Sequence, residues 1–96
     1  MPLFHFIGLD KKDALPRRMA VRPEHLAYAA KHTRLGGPIL DADGQPQGSV
    51  MIIEAEGLEA AKVLMDNDPY AKAGIFDHTE LRPWRVAIGG IAGYEG

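Results

Sequence analysis

The chain has 96 residues, which is enough for one domain and too few for two, and its eleven basic residues nearly balance its thirteen acidic residues. The charges are spread without blocks, so the sequence lacks the electrostatic footprint of a protein that binds nucleic acid or an anionic membrane. The absence of cysteine excludes a disulfide framework, a thiolate nucleophile and a thiolate metal site. With no signal peptide and no membrane-spanning apolar run, the sequence predicts a cytoplasmic protein whose partner is a small molecule or another protein.

The first third of the chain predicts a strand followed by a helix. Leu3–Leu9 is short, aromatic and apolar, which favours a strand. Ala14–Met19 is compatible with one helical turn, but Arg22 precedes Pro23, and a proline cannot donate a hydrogen bond to an earlier carbonyl group. We therefore expect the main helix to begin at Pro23 and to continue to His32. Its apolar stripe would consist of Leu26, Ala29, Ala30 and Thr33.

The middle of the chain predicts a hairpin. The run Gly36-Gly37-Pro38 is typical of a helix end, and the short strand that follows, Ile39-Leu40, would lie at a sheet edge because of its proline. Asp41–Gly48 contains Asp-Gly and Gln-Pro and indicates a hairpin connection. Ser49–Glu54 is apolar on both faces, which favours a central strand.

The last third predicts a helix, a capped turn and a strand. Apolar residues recur at helical spacing in Leu58–Asp66. Asp68 before a proline is typical of an N-cap, and Gly74 is typical of the residue that ends the turn. Ile75–Val86 alternates and is rich in aromatic and branched residues, and Pro83 marks an edge or irregular position. One face of this strand would carry Phe76, His78, Glu80, Arg82 and Trp84.

The predicted order of elements is strand, helix, strand, strand, helix, strand. Two helices on one face of a four-stranded antiparallel sheet define an α+β fold of the ferredoxin-like type. The opposite face of the sheet needs a cover, and a second copy of the chain would supply it, so we expect a homodimer. We expect one domain over residues 1–88 and a glycine-rich tail over residues 89–96.

Three residues are candidates for chemistry. His25 would lie at the positive end of its helix, which favours the neutral imidazole that a general base needs, or it is a half-exposed helix residue. Asp68 either caps its turn or also directs its carboxylate into a pocket. Ser49 lacks the glycine pattern of a nucleophile elbow, so a hydrogen-bonding role fits it better. The histidines lack metal-ligand spacing and nucleotide motifs are absent, so we expect no metal and no cofactor.

Several fragments together resemble the YCII-like family of small dimeric α+β barrel proteins, and the resemblance spans about residues 3–88. The fragments are Arg22-Pro23-Glu24-His25-Leu26, Gly37-Pro38, Gly48-Ser49, Asp68-Pro69-Tyr70, Ala73-Gly74 and Arg82-Pro83-Trp84.

The resemblance implies a pocket in which His25 and Asp68 act together, with Ser49 as the serine that follows a glycine. It also implies that the ligand contacts Arg22, Gly37, Pro38 and Tyr70. Asp68 would accept a hydrogen bond from one ring nitrogen of His25 and leave the other nitrogen free to take a proton.

Two functions follow from the resemblance. The first is a cofactor-independent enzyme of the lyase or isomerase type, which transfers a proton on a small ring-containing or carboxylate compound. The alternative is a non-catalytic dimeric module in which the same pocket holds a small ligand. The sequence has no nucleophile elbow, metal motif or cofactor motif that would decide between the two functions, and the fold alone does not decide, because sites rather than folds determine function.

Overall fold

A computed structural model describes residues 1–90 of the chain. Its elements in chain order are β1 (Leu3–Asp10), α1 (Leu15–Ala29), β2 (Thr33–Leu40), β3 (Pro46–Glu54), α2 (Leu58–Asp66), α3 (Pro69–Lys72) and β4 (Phe76–Trp84). Within the described residues the four strands form one antiparallel sheet in the order β2-β3-β1-β4. The predicted α+β, ferredoxin-like arrangement is confirmed. The proposed tail lies mostly outside the described residues, because the description ends at Gly90.

The core forms where the helices cover the two central strands. Phe4 and Phe6 of β1 lie opposite Ile53 and Met51 of β3, and all four side chains are buried. Alternate residues of a strand point to opposite faces, so this alternation directs one apolar row of each strand toward the helices. α2 packs against β1 and β4, whereas α1 packs chiefly against α3. The space between α1 and the β2–β3 half of the sheet is therefore left incompletely filled.

The first helix does not begin at Pro23, as the sequence led us to expect, but at Leu15, and it passes through Pro23 without interruption. A proline inside a helix removes one hydrogen bond but does not forbid helical geometry, and burial of one helix face can outweigh that loss. The buried residues of α1 are Arg18, His25 and Ala29. The predicted stripe is confirmed at Ala29 and wrong at Leu26 and Ala30, which are exposed, and at Thr33, which belongs to β2.

The second strand is longer than predicted. β2 begins at Thr33, directly after the turn that follows α1, so the run Gly36-Gly37-Pro38 lies inside the strand rather than at a helix end. Pro38 is nevertheless at the sheet edge, where a missing N–H group is tolerated. The predicted hairpin connection is confirmed in its first part, because a turn over Asp41–Gly44 joins β2 to β3, whereas Pro46, Gln47 and Gly48 already belong to β3.

The capped turn is also confirmed. Asp68 is the N-cap of α3, and its Oδ1 accepts a hydrogen bond of 2.8 Å from the backbone N–H of Tyr70. Gly74 follows the last residues of the turn with φ at +69°, a left-handed conformation that favours glycine. The sequence therefore identified both ends of this short helix correctly.

The last strand differs from the prediction at its first residue. The pairing register between β1 and β4 shifts between Leu9 and Asp10, so that Leu9 pairs with His78 but Asp10 pairs with Phe76. This irregularity turns Phe76 toward the core, where it meets Phe6 edge to face, instead of leaving it on the face that carries His78. A Cβ atom at Gly8 would lie 2.7 Å from the Phe76 ring, so this packing requires glycine there.

Across the described residues, no helix is both long and apolar enough to span a membrane.

Candidate functional site

A cavity of about 340 Å³ occupies the space between α1 and the β2–β3 half of the sheet. One wall consists of α1 side chains, with Arg18, Arg22 and His25 in one row, since residues at i, i+4 and i+7 share a helix face. The sheet and α3 supply the opposite side, which includes Gly37, Pro38, Ser49, Met51 and Tyr70. Apolar walls with a few polar groups are typical of sites for small organic molecules.

His25 and Asp68 form a buried pair at this wall. The Nδ1 atom of His25 lies 2.8 Å from Oδ1 and 2.9 Å from Oδ2 of Asp68. Asp68 is 1% exposed and lies behind the imidazole rather than in the cavity lining. Its carboxylate thus serves both the cap of α3 and the histidine, which agrees with the several acceptor sites of a carboxylate. Because Nδ1 is engaged by Asp68, Nε2 is the ring nitrogen that remains for a ligand.

The position of His25 within α1 corrects one expectation. The residue lies in the last third of the helix, not at its N-terminal end. The positive end of the helix therefore does not act on His25, and the argument that it favours neutral imidazole is wrong. The contact with Asp68, rather than the helix, orients this ring.

Tyr70 packs beneath His25 and links α3 to the cavity. The two rings are nearly parallel, at 10°, with centroids 3.8 Å apart, and the Arg18 guanidinium carbon lies 4.6 Å from the Tyr70 centroid. Burial raises the pKa of the Tyr70 phenol, although the nearby Arg18 and Arg22 cations act in the opposite direction. The phenol therefore stays protonated at neutral pH.

A second buried polar group, which the sequence analysis missed, joins Asp10, Arg18 and Ser49. Arg18 Nη1 lies 3.0 and 3.1 Å from the two carboxylate oxygens of Asp10, and Nη2 donates a 2.7 Å hydrogen bond to Ser49 Oγ. Arg18 is 4% exposed and Ser49 is 2% exposed. The spacing of Arg18 and His25 would have revealed the shared face, but the predicted helix break at Pro23 separated them.

The structure brings most of the predicted site residues to one place. His25 and Ser49, together with the expected ligand contacts Arg22, Gly37, Pro38 and Tyr70, line the cavity, and Asp68 supports His25 from behind. Arg22 is exposed and lies on the helix wall, and among the described residues no ion pair is formed by its side chain. In the described part of the chain, no three His, Asp or Glu side chains are close enough together to hold a metal ion.

A further histidine lies near the pair without joining it. His32 follows α1, its ring meets Tyr28 edge to face, and its Nε2 atom is buried without a hydrogen-bond partner among the described residues. Burial lowers the pKa of His32, and the Asp68 carboxylate opposes that shift only in part. His32 is therefore neutral in the folded protein at neutral pH.

Three comparisons relate this fold and site to known proteins. The family model described as the YCII-related domain matches residues 3–85. Protein YciI from Escherichia coli O6:H1 is 34% identical, and the match covers 86% of this chain and 96% of that protein. An uncharacterized protein from Haemophilus influenzae is 31% identical, with 79% of this chain and 89% of that protein covered.

One solved structure is similar in both sequence and fold. It is 5-chloro-2-hydroxyhydroquinone dehydrochlorinase (TftG) from Burkholderia phenoliruptrix AC1100, in complex with 2,5-dihydroxybenzoquinone. The TM-score is 0.82 at 32% identity, and the match covers 88% of this chain and 95% of that chain. An antibiotic biosynthesis monooxygenase structure, at 10% identity and a TM-score of 0.58, shares the fold alone.

The sheet order, the two covering helices and the cavity beneath α1 define an α+β protein of the ferredoxin-like class with a small internal site. The matched residues extend over nearly the whole described chain. The chain belongs to the YCII-related family.

Proposed function

We propose that this chain is a small-molecule enzyme of the lyase or isomerase type, in which His25 and Asp68 transfer a proton. One observation carries the proposal. Nδ1 of His25 contacts both carboxylate oxygens of Asp68, and the same imidazole ring lines the cavity. A buried carboxylate that accepts from one ring nitrogen leaves the other nitrogen with a lone pair that can take a proton. The similar dehydrochlorinase supports this class of reaction, because a dehydrochlorinase removes a proton and a chloride from its substrate.

The proposed step uses groups that the chain itself supplies. Asp68 accepts the Nδ1–H hydrogen bond, and Nε2 of His25 takes a proton from a carbon or hydroxyl of the ligand. The electron pair of the broken bond stays on the ligand as an enolate or phenolate. In an elimination, that pair forms a new double bond while the leaving group departs with its own bonding pair, so that the ligand loses one proton and one anion. In an isomerisation, the imidazolium returns the proton to another atom.

The cavity favours a ligand with a single ring. Its volume of about 340 Å³ is at the small end of the range for ligand sites, and Met19, Leu26 and Met51 contribute apolar surface. Arg22 provides an exposed cation at the helix wall, and Gly37 leaves open space because a Cβ there would meet no atom within 4 Å. We propose that a flat, oxygen-substituted ring lies between His25 and the β2 residues Gly37 and Pro38. 2,5-Dihydroxybenzoquinone, hereafter the quinone probe, is such a ring.

We further propose a homodimer that buries the sheet face opposite the helices. The outward row of β1, which includes Ile7 and Leu9, continues across the sheet into Val50 and Ile52 of β3. Leu9 and Val50 are each about two-fifths exposed. An apolar patch on the central strands, with the polar β4 residues His78, Glu80 and Arg82 beside it, is typical of a protein interface with a polar rim. Analytical ultracentrifugation at micromolar concentration should give the mass of a dimer, and Val50→Lys should give a monomer. A wild-type monomer would contradict this part of the proposal.

The experiment for the proposed reaction is a thermal-shift screen of phenolic and carboxylic compounds, beginning with the quinone probe. Hits are incubated with the wild type and with His25→Ala, and products are followed by NMR. We expect conversion by the wild type and none by His25→Ala, whereas Asp66→Ala, which removes an exposed carboxylate of α2 outside the cavity lining, should convert like the wild type. A ligand that binds tightly and is recovered unchanged after long incubation would instead favour the non-catalytic binding module.

A further inference from the structure

Asp10, Arg18 and Ser49 form a buried polar group at the wall of the cavity. The proposed proton transfer by His25 does not use this group. Arg18 divides its guanidinium between two partners, with Nη1 on the carboxylate of Asp10 and Nη2 on the hydroxyl of Ser49. Both contacts to Asp10 are made by the one nitrogen Nη1, and the 2.7 Å contact to Ser49 is made by Nη2, so the guanidinium is held at both of its terminal nitrogens. An ion pair between Arg18 and Asp10 alone would not require the additional contact with Ser49.

The direction of the hydrogen bond between Arg18 and Ser49 follows from their chemistry. A guanidinium has N–H donors and no acceptor, so the hydroxyl oxygen of Ser49 must be the acceptor. The hydroxyl proton of Ser49 is therefore available to a different acceptor. Ser49 lines the cavity, and a hydroxyl that accepts from a cation becomes a stronger donor, because neighbouring hydrogen bonds polarise one another.

The strand pairing places this donor opposite the proposed base. Ser49 lies on central strand β3 between Gly8 and Pro38, on the sheet side of the cavity, whereas His25 lies on the helix side. A Cβ at Gly48 would lie 2.6 Å from the carbonyl oxygen of Gly8, so the chain beside Ser49 is closely packed and cannot shift easily. The donor is thus held by its backbone and by its side-chain contact.

We propose that Arg18, held by Asp10, is a positioning residue that makes Ser49 a hydrogen-bond donor to an oxyanion of the ligand. The inference rests on the proposed function, and it defines the ligand class of the same cavity as rings that carry an ionised hydroxyl or an enolate oxygen. When Nε2 of His25 takes a proton, the negative charge that remains on the ligand spreads to such an oxygen. A donor that is already oriented stabilises that charge without reorganisation.

The experiment compares two probes that differ in one property. The quinone probe has ionisable hydroxyls, whereas its dimethyl ether, 2,5-dimethoxybenzoquinone, has the same ring and no acidic proton. Dissociation constants for both are measured by titration calorimetry with the wild type, Ser49→Ala, Arg18→Met, and the double variant. Arg17→Met is the matched control, because Arg17 is the adjacent arginine and its side chain donates to the Gly74 carbonyl at the surface.

We expect the wild type to prefer the quinone probe, and Ser49→Ala to weaken its binding about tenfold, the size of effect typical of a hydrogen bond to a charged group. Arg18→Met should lower the affinity for the quinone probe about as much, the double variant no further, and the affinity for the dimethyl ether should stay constant. Arg17→Met should bind both probes like the wild type. An arginine with a merely structural role would instead reduce the affinity for both probes together.

Three results would overturn the inference. The first is a wild type that binds both probes equally well. The second is a double variant in which the losses of affinity caused by Ser49→Ala and Arg18→Met multiply. The third is a loss of affinity in these variants that is equal for the two probes. If Arg18→Met does not fold, Arg18→Lys retains a cation beside Asp10 but lacks the fork that reaches two partners, and it should show the same selective loss. Wild-type binding by Arg18→Lys would contradict the inference.

The oxyanion donor and the proposed proton transfer can fail independently. Conversion that persists in His25→Ala would refute the proton transfer, yet a selective loss of affinity in Ser49→Ala and Arg18→Met would still support the oxyanion donor. Loss of conversion in His25→Ala, together with unchanged probe selectivity in the other variants, would support the proton transfer and refute the oxyanion donor.

Discussion

The imidazole of His25 lies parallel to the phenol ring of Tyr70, with centroids 3.8 Å apart and an angle of 10° between the rings. Tyr70 is almost fully buried, and its backbone N–H donates the hydrogen bond through which Asp68 caps α3. One residue of the short helix α3 thus supports the histidine from below, while the residue two positions earlier holds it from the side. The capped turn is the platform on which the site is built.

Substitution of Tyr70 tests this support. Tyr70→Phe keeps the ring and should change the free energy of unfolding by less than about 1 kcal/mol, whereas Tyr70→Leu loses the stack and buried volume and should cost about 2–4 kcal/mol. Urea denaturation gives both values. The His25 ring protons provide a second readout, because loss of the ring current should move their NMR signals in Tyr70→Leu and leave them in place in Tyr70→Phe. Equal stabilities of the two variants would contradict the importance of the stack.

Substitution of Asp68 separates its two contacts. Asp68→Asn retains an oxygen that can accept from the Tyr70 N–H, whereas Asp68→Ala leaves that N–H and the Nδ1–H of His25 buried and unpaired. We expect Asp68→Ala to lower the free energy of unfolding by about 2–4 kcal/mol and Asp68→Asn to lower it less. Asp66→Ala is the control, since the exposed Lys62–Asp66 pair should be worth under about 0.5 kcal/mol. A surface-like effect of Asp68→Ala would show that the carboxylate is dispensable.

The uninterrupted first helix predicts that Pro23 is destabilising where it stands. Pro23 is exposed within α1, so alanine would restore an N–H donor and should increase the free energy of unfolding by about 1–3 kcal/mol. Pro16→Ala is the matched control, because Pro16 lies in the first turn, where the N–H has no helical acceptor, and no gain is expected. Thermal unfolding of the two variants measures the difference. A loss of stability in Pro23→Ala would indicate a break in the helix at this residue, with a helix that begins at Pro23.

His32, which is partly buried, predicts how the free energy of unfolding depends on pH. Burial lowers the pKa of His32 below its ordinary value of 6.5. As the pH falls below 6.5, His32 therefore becomes protonated in the unfolded chain before it does so in the folded protein. Its contribution to stability is therefore present above about pH 6.5 and is lost as the pH falls toward the lowered pKa. Urea denaturation at pH 8 and at pH 5 measures how much of the free energy of unfolding is lost between the two pH values. This loss should be smaller for His32→Gln than for the wild type. At pH 8 the imidazole is neutral in both states, so that point isolates the fixed effect of the substitution. Equal losses would contradict this role.

Much of the fold could be predicted because local signals and tertiary packing agree. Leu58–Asp66 has helical periodicity and is the helix α2, and the Asp-Pro pair with its following glycine forms the capped turn. The alternation of Phe4 and Phe6 with less buried residues is preserved in β1. In these segments the residue pattern, the caps and the burial all favour the same structure.

The prediction was wrong where tertiary contacts override a local rule. Pro23 is a strong helix-breaking signal, yet burial of Arg18 and His25 on one face holds α1 together across it. Because Pro23 predicts a helix break, the sequence does not place Arg18 beside His25 and does not predict the contact of Arg18 with Asp10 and Ser49. Ser49, which accepts a hydrogen bond from Arg18, lies 31 positions away along the chain, so this contact has no signature in the neighbourhood of either residue.

The central claim is that Asp68 holds the proton of His25 at Nδ1 and leaves Nε2 for the ligand. Nitrogen-15 NMR of the His25 ring, titrated with the quinone probe and assigned with His25→Gln, measures both nitrogens separately. We predict a protonated Nδ1 that is unaffected by the probe and an Nε2 whose signal shifts as the probe binds. A proton on Nε2 in the free protein, or a probe that saturates the protein without moving the Nε2 signal, would contradict the claim.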